Sequence, residues 1–174
     1  QQAIETFRQA IECSQQAEDT WWIADTCTDW PNLDGQGDRR AALPLYQQSV
    51  LLFRELGDQW ALTHPLCDLA LRTWDEGRLH EAVALIREYL AIFRQLRSLS
   101  GVPMALSYLS FMAAGIGDFA AAAQAAQEKA EIEASRGLPI DRAYGLHSIA
   151  YVQLVQGNLA QARALCTEAL VHAQ

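Results

Sequence analysis

A single lysine, Lys129, stands among 174 residues, and the arginines are scattered. Asp and Glu number 21 against 13 Lys and Arg, for a net charge of −8. Phosphate contacts need clustered cations, so nucleic-acid binding by this segment is excluded. No apolar run is long enough to span a bilayer, and no signal peptide opens the chain. The four cysteines lack paired spacing, which points to a reducing, cytoplasmic compartment. Sustained two-residue alternation is missing too, so no sheet is expected. There is no Gly-x-x-x-x-Gly-Lys-Ser/Thr loop, and Lys129 sits in nothing like one. No cofactor and no metal are expected. With 51% hydrophobic and 20% charged residues, the chain is nonetheless a folding one.

What is present is a recurring corner. Gly37, Gly77, Gly117 and Gly157 lie forty residues apart, followed by Asp38, Arg78, Asp118 and Asn158. Gly suits the left-handed end of a helix, and Asp or Asn suits the start of the next. Each copy predicts a tight turn between two antiparallel helices.

The register divides the chain into a half-repeat (1–18), a divergent repeat (19–57) and repeats at 58–97, 98–137 and 138–174. Ala3, Ile4, Phe7, Ala10, Ile11 and Ser14 share a helical face and match Ala82, Val83, Ile86, Tyr89, Leu90 and Phe93. Pro31 should end or kink its helix, 32–37 should be a loop, and Pro44 should distort the early turns of the next helix. Beyond Asp58, helices are expected at 59–76, 79–97, 102–116, 119–136, 140–156 and 159–172. The chain begins without Met, already in helical pattern, and is expected to be a fragment of a longer protein.

In register, Leu66-x-x-Leu69-Ala70, Leu106-x-x-Leu109-Ser110 and Leu146-x-x-Ile149-Ala150 precede the glycines. Ala42-x-x-x-Tyr46, Ala82-x-x-x-Ile86, Ala122-x-x-x-Ala126 and Ala162-x-x-x-Cys166 follow them. Two helices crossing closely need a small residue on each, with large residues beside it. This pattern resembles the tetratricopeptide (TPR) repeat. In the first repeat Asp29 and Trp30 stand where Leu and the small residue belong. The forty-residue period, longer than the usual ~34, and the phrase Leu51-Leu52-Phe53-Arg54-Glu55-Leu56-Gly57-Asp58 resemble the sensor arrays of bacterial STAND signal-transduction ATPases of the LuxR/maltose-activator type. That resemblance implies a region that binds an inducer or partner and controls a nucleotide-binding module. It also implies that the first helix of each repeat lines a concave groove. By register the groove holds His64, Cys67, Leu71, Trp74 and Asp75, then Met104, Ser107 and Phe111, then Tyr144, His147, Tyr151 and Leu154. Spacings of three and four keep each set on one stripe. Exposed aromatic stripes mark binding surfaces, whereas tight curling would make the stripe partly core.

Other candidates have plainer explanations. Cys166 replaces Tyr46 and Ile86 at a core position and is expected to be buried. Cys27 and Cys67 occupy one repeat position on successive first helices, which are ~8–10 Å apart, too far for a disulfide without movement. His64 and Cys67 share a face, but no orienting third group or oxyanion donor is identifiable. Acidic residues are expected on solvent faces. The alanines of 120–126 suit close helix packing.

The expected fold is an all-α, right-handed solenoid of antiparallel helix pairs, four repeats plus a leading half-repeat. The expected function is a non-catalytic sensor or scaffold. It would engage a peptide, protein segment or small inducer in the groove, without nucleic-acid or membrane contact. The alternatives are an oligomerisation module stacking end to end by self-association, and an enzyme using His64 and Cys67.

Overall fold

The computed structural model describes residues 9, 12–14, 16, 19–33 and 39–173. Among them the only regular elements are helices. Eight have defined bounds: α1 (Thr20–Leu33), α2 (Arg39–Leu56), α3 (Gln59–Asp75), α4 (Leu79–Gln95), α5 (Gly101–Gly115), α6 (Phe119–Ser135), α7 (Pro139–Val155) and α8 (Leu159–His172). Of the opening half-repeat only Gln9, Glu12, Cys13, Ser14 and Gln16 are described, and these are helical. Its other face residues lie outside the described set.

The corners form as their residues dictate. Gly57, Gly77, Gly117, Gly137 and Gly157 have φ between 71° and 84°, a left-handed conformation that costs side-chain-bearing residues dearly. At Gly77 the chain turns back so that Gly77 N donates to Trp74 O at 2.9 Å and Arg78 N to Thr73 O at 3.1 Å. Carbonyls at the end of α3 are thereby satisfied. Asp58 and Asp118 then open the next helices, accepting from the amides of Ala61 (2.9 Å) and Ala121 (3.1 Å). Asn158 holds the same position but does not cap. Its Nδ2 donates to Gln153 Oε1 at 2.9 Å instead. The Gly37 corner and Asp38 lie outside the described residues. After α4 the left-handed position falls on Arg97, with φ 50°.

The prolines disrupt less than expected. α1 does not end at Pro31 but runs to Leu33, so the predicted loop residues Asn32 and Leu33 are helical. A proline in the last turn removes a single backbone bond and leaves the earlier turns intact. The remainder of that loop, 34–38, lies outside the described residues. α2 is likewise continuous through Pro44, and α3 through Pro65.

Two compact units emerge, 1–85 and 86–174, with the boundary inside α4. In the first, α2 packs against both α1 and α3. Tyr46, Val50 and Phe53 of α2 are buried, as are Leu62 and Leu66 of α3. Each fully buried Leu or Phe contributes roughly 1.5–3 kcal/mol. A buried polar link crosses α1 and α2: the Thr28 and Ser49 hydroxyls lie 2.7 Å apart, and Ser49 Oγ also donates to Ala24 O at 2.7 Å.

In the second unit α5, α6, α7 and α8 pack in sequence, and α5 also touches α7. Ala113 and Ala114 of α5, Ala122 and Ala126 of α6 and Val152 of α7 form one cluster, with Ala121, Ile149 and Tyr151 against it. Small residues bring these helices close. A Cβ placed on Gly145 would stand 2.7 Å from Ala130 Cα. The small residues singled out by the repeat register, Ala42, Ala70, Ala82, Ser110, Ala122, Ala150 and Ala162, are all buried.

Cys166 departs from expectation. It is exposed, and Ala162 is the only buried residue of α8. The register gave it a core position, yet among the described residues no later helix covers that face.

Candidate functional site

The predicted stripe divides between the two units. On α3, in the first unit, His64 and Asp75 are exposed while Cys67, Leu71 and Trp74 are half-buried. The Asp75 carboxylate is not waiting for a cation, because Arg72 Nη1 lies 3.3 Å from it, one helical turn away. The Tyr46 phenol beneath is pushed up to about 12, chiefly by burial and then by the charge of Asp68. Cys13, Cys27, Cys67 and Cys166 are all reduced thiols, and Cys27 is buried. Burial raises the Cys27 thiol above its usual range. This suits a small hydrophobe rather than a nucleophile.

In the second unit the structure brings α5 and α7 side by side. Met104, Phe111, Tyr144, His147 and Leu154 are exposed, and Ser107 and Tyr151 are half-buried. Phe111 and Tyr151 meet across the two helices, with ring centroids 5.4 Å apart and planes tilted by 32°. Tyr151 rests on the alanine cluster below, and that burial pushes its phenol up. The result is an apolar surface with a hydroxyl and an imidazole among its aromatics, the mixture that ligand sites use.

The acidic residues do not all face solvent, as the sequence reading expects. Glu133 is buried on α6, paired with the buried Lys129 at 3.3 Å. Lys129 Nζ also donates to Ser148 Oγ (2.9 Å) and to the backbone oxygen of Tyr144 (3.0 Å) on α7. Burial raises the Glu133 carboxyl, and Lys129 opposes that. The signal was available: Lys129 and Glu133 stand forty residues after Tyr89 and Phe93, an edge-to-face pair 4.7 Å apart in the core. An ion pair has taken an aromatic pair's place.

A second constellation, apart from His64, escaped the sequence reading. Trp22 on α1 and Trp60 on α3 are 55% and 57% exposed. Trp60 meets the His64 ring edge-on at 6.3 Å. Burial raises the carboxyl of Asp25, one turn beyond Trp22; Asp29 adds to the shift and His64 opposes it. Trp21 ties the two helix starts together. Its ring meets Trp22 at 5.4 Å, and its Nε1 donates to Asp58 Oδ2 at 3.1 Å. That bond and the amide of Ala61 hold the Asp58 carboxyl below its ordinary range, the amide having the larger effect. Only the packing of α1 on α3 assembles this set, and no local motif announces it.

A cleft of about 280 Å³ also opens in the second unit, floored by Leu90, Leu106 and Leu109. Arg94 and Glu128 bridge its edge through two 2.7 Å contacts, so these charges answer one another. Among the described residues no three His, Cys, Asp or Glu gather as metal ligands, and no helix is long and apolar enough to cross a membrane.

No family model matches the chain, and no curated protein matches it. Solved structures do. A Podosopora anserina kinesin-light-chain-like protein with nearly identical TPR-like repeats is 16% identical, with a TM-score of 0.86 over 99% of this chain and 86% of its own. A single-substitution variant of that protein aligns as well, over 85% of its length. A Rap protein complexed with Competence and Sporulation Factor is 15% identical, with a TM-score of 0.74 over 98% of this chain. This chain spans 48% of that one. The fold is therefore the TPR-like helical-repeat solenoid.

Proposed function

We propose that this TPR-like region is a non-catalytic binding scaffold, and that the exposed stripe of α5 and α7 engages a peptide or protein segment. The observation that carries the reading is the Phe111–Tyr151 contact. Two large rings from successive first helices meet at the surface, and Tyr144, two turns before Tyr151 on α7, is 55% exposed. Rigid aromatics offer large contact area at low entropic cost. The Rap protein, of similar fold, is itself found complexed with Competence and Sporulation Factor, and that supports a binding role.

Within this reading the α3 stripe of Cys67, Leu71 and Trp74 is a second stretch of binding surface in the first unit, and a small inducer is the other occupant that either stretch would fit. The whole chain then serves as one repeat region of a larger bacterial regulator, cytoplasmic, of the STAND type. The forty-residue period and the phrase 51–58 support that finer assignment.

The test is a binding assay with the parent chain and Tyr151→Ala, with circular dichroism as the folding control. Truncating a central aromatic should cost over ~2 kcal/mol of binding. Unchanged affinity in a folded Tyr151→Ala protein would move the site elsewhere.

A second reading has its own observation. On α8, Leu159, Leu170 and Val171 are each more than 60% exposed, an apolar surface suited to end-to-end self-association. Sedimentation velocity across a concentration series tests it. A constant monomeric coefficient rules it out.

A further inference from the structure

We propose that Trp22, Asp25, Trp60 and His64 form a docking surface in the first unit for a basic peptide segment, whose arginine or lysine side chains lie against the exposed tryptophans. This goes beyond the α5–α7 stripe and concerns the first unit alone.

The argument begins with the rings. Tryptophan rarely lies more than half exposed without reason, yet Trp22 and Trp60 do so on neighbouring helices. Their faces are the best side-chain partners for a cation. Each ring has a polar neighbour one turn along its own helix. Asp25 is one turn from Trp22 on α1, and it feels the charge of His64, whose ring touches Trp60. Asp29 adds a second negative charge one turn further along α1.

Charge selects the occupant. α1 carries no basic residue, and α3 carries Arg72, already paired with Asp75. Burial, and then the charge of Asp29 one turn away, raises the Asp25 carboxyl, and a guanidinium or ammonium at this surface would relieve both. An anionic partner would meet the carboxylates of Asp25 and Asp29, while the one arginine of these two helices, Arg72, is already paired with Asp75. Trp22 and Trp60 stand on two different helices, α1 and α3. The occupant is therefore a segment that spans both helices, not a lone amine.

The surface is rigid as well as charged. Trp21 is edge-to-face with Trp22 at 5.4 Å and with buried Phe53 at 5.9 Å. Its indole bond to Asp58 anchors the start of α3, two residues before Trp60. A preformed surface loses less entropy on binding.

The experiment uses the whole chain and two fluorescein-labelled peptides, one alternating arginine with glycine and its glutamate counterpart, read by anisotropy. The arginine peptide should bind and the glutamate peptide should not. Trp60→Ala and the near-isosteric Asp25→Asn should each weaken binding about 10-fold. Glu131→Gln, an exposed acid of α6, should change affinity less than about 2-fold. Melting curves confirm that each variant is folded. Failure of the arginine peptide to bind overturns the proposal. So does equal weakening by Glu131→Gln and Asp25→Asn, which would mean diffuse attraction to an acidic protein. Tyr151→Ala should leave this binding intact, so the groove reading and this one fail separately.

Discussion

Gly77 and Gly145 are needed for opposite reasons. At Gly77 a Cβ would meet nothing within 4 Å, and the demand is the backbone itself, at φ 79°. Gly77→Ala should therefore cost ~1 kcal/mol through conformation alone. Gly145 has an ordinary φ, and its demand is space, with the Ala130 backbone 2.7 Å from the added atom. Gly145→Ala should cost ~1–3 kcal/mol, because α7 must move off α6. Urea denaturation of both variants measures the difference, and a larger loss at Gly77 would contradict this account. Lys129 and Glu133 make a third kind of demand. Lys129→Met strands a buried carboxylate and should cost ~3 kcal/mol near neutral pH. The Glu133 carboxyl titrates above its unfolded value, so the fold holds that proton more tightly than the unfolded chain does. The cost of the stranded charge is then present above the folded pKa and relieved as pH falls through it. The deficit of Lys129→Met should shrink on acidification. Lys129→Tyr with Glu133→Phe, which copies the preceding repeat, should be less damaging than the single change.

The helix pair is the element that the sequence describes well. Its Gly corners and its small crossing residues read from the forty-residue spacing, and its Asp caps at 58 and 118 read from the Gly that precedes each, because each is a local demand. Ala150 is one such crossing residue, buried on α7. Ala150→Phe should overpack the crossing and cost ~1–3 kcal/mol or more; a melting curve matching the parent would mean the register is misdrawn. What the spacing hid was non-local. Exposure along the stripe depends on how neighbouring helices lean, so Trp74 and Tyr151 are half-buried while Tyr144 is open. Replacing Trp74 should thus cost some stability, whereas Tyr144 can be removed more freely. The Trp22–Trp60 surface needs α1 laid beside α3, and no period in the sequence encodes that. Lys129 was visible as an isolated lysine. Its burial became readable only once its position was superposed on that of Tyr89.

At the scale of the molecule, each helix in a repeat array is stabilised by its nearest neighbours alone. The second unit contains both extremes. α5 packs on α6 and α7, and buries Leu106, Leu109, Met112, Ala113 and Ala114. α8 packs on α7 and buries only Ala162, with Leu159, Leu170 and Val171 exposed. Helices of this length are marginal in water without tertiary packing, and α8 lacks a side-chain cap at Asn158. Local opening of α8 therefore forfeits little apolar burial, while opening α5 forfeits a core. Native-state hydrogen exchange should show amides of 163–172 exchanging at least ~10-fold faster than those of 105–114. Asn158→Asp tests the cause. It offers the same carboxylate that caps α3 and α6 at Asp58 and Asp118. The substitution should slow exchange across α8 by the ~0.5–2 kcal/mol that such a cap is worth, without altering α5. Equal protection of α5 and α8 in the parent chain would show that something beyond the neighbour α7 holds α8 in place.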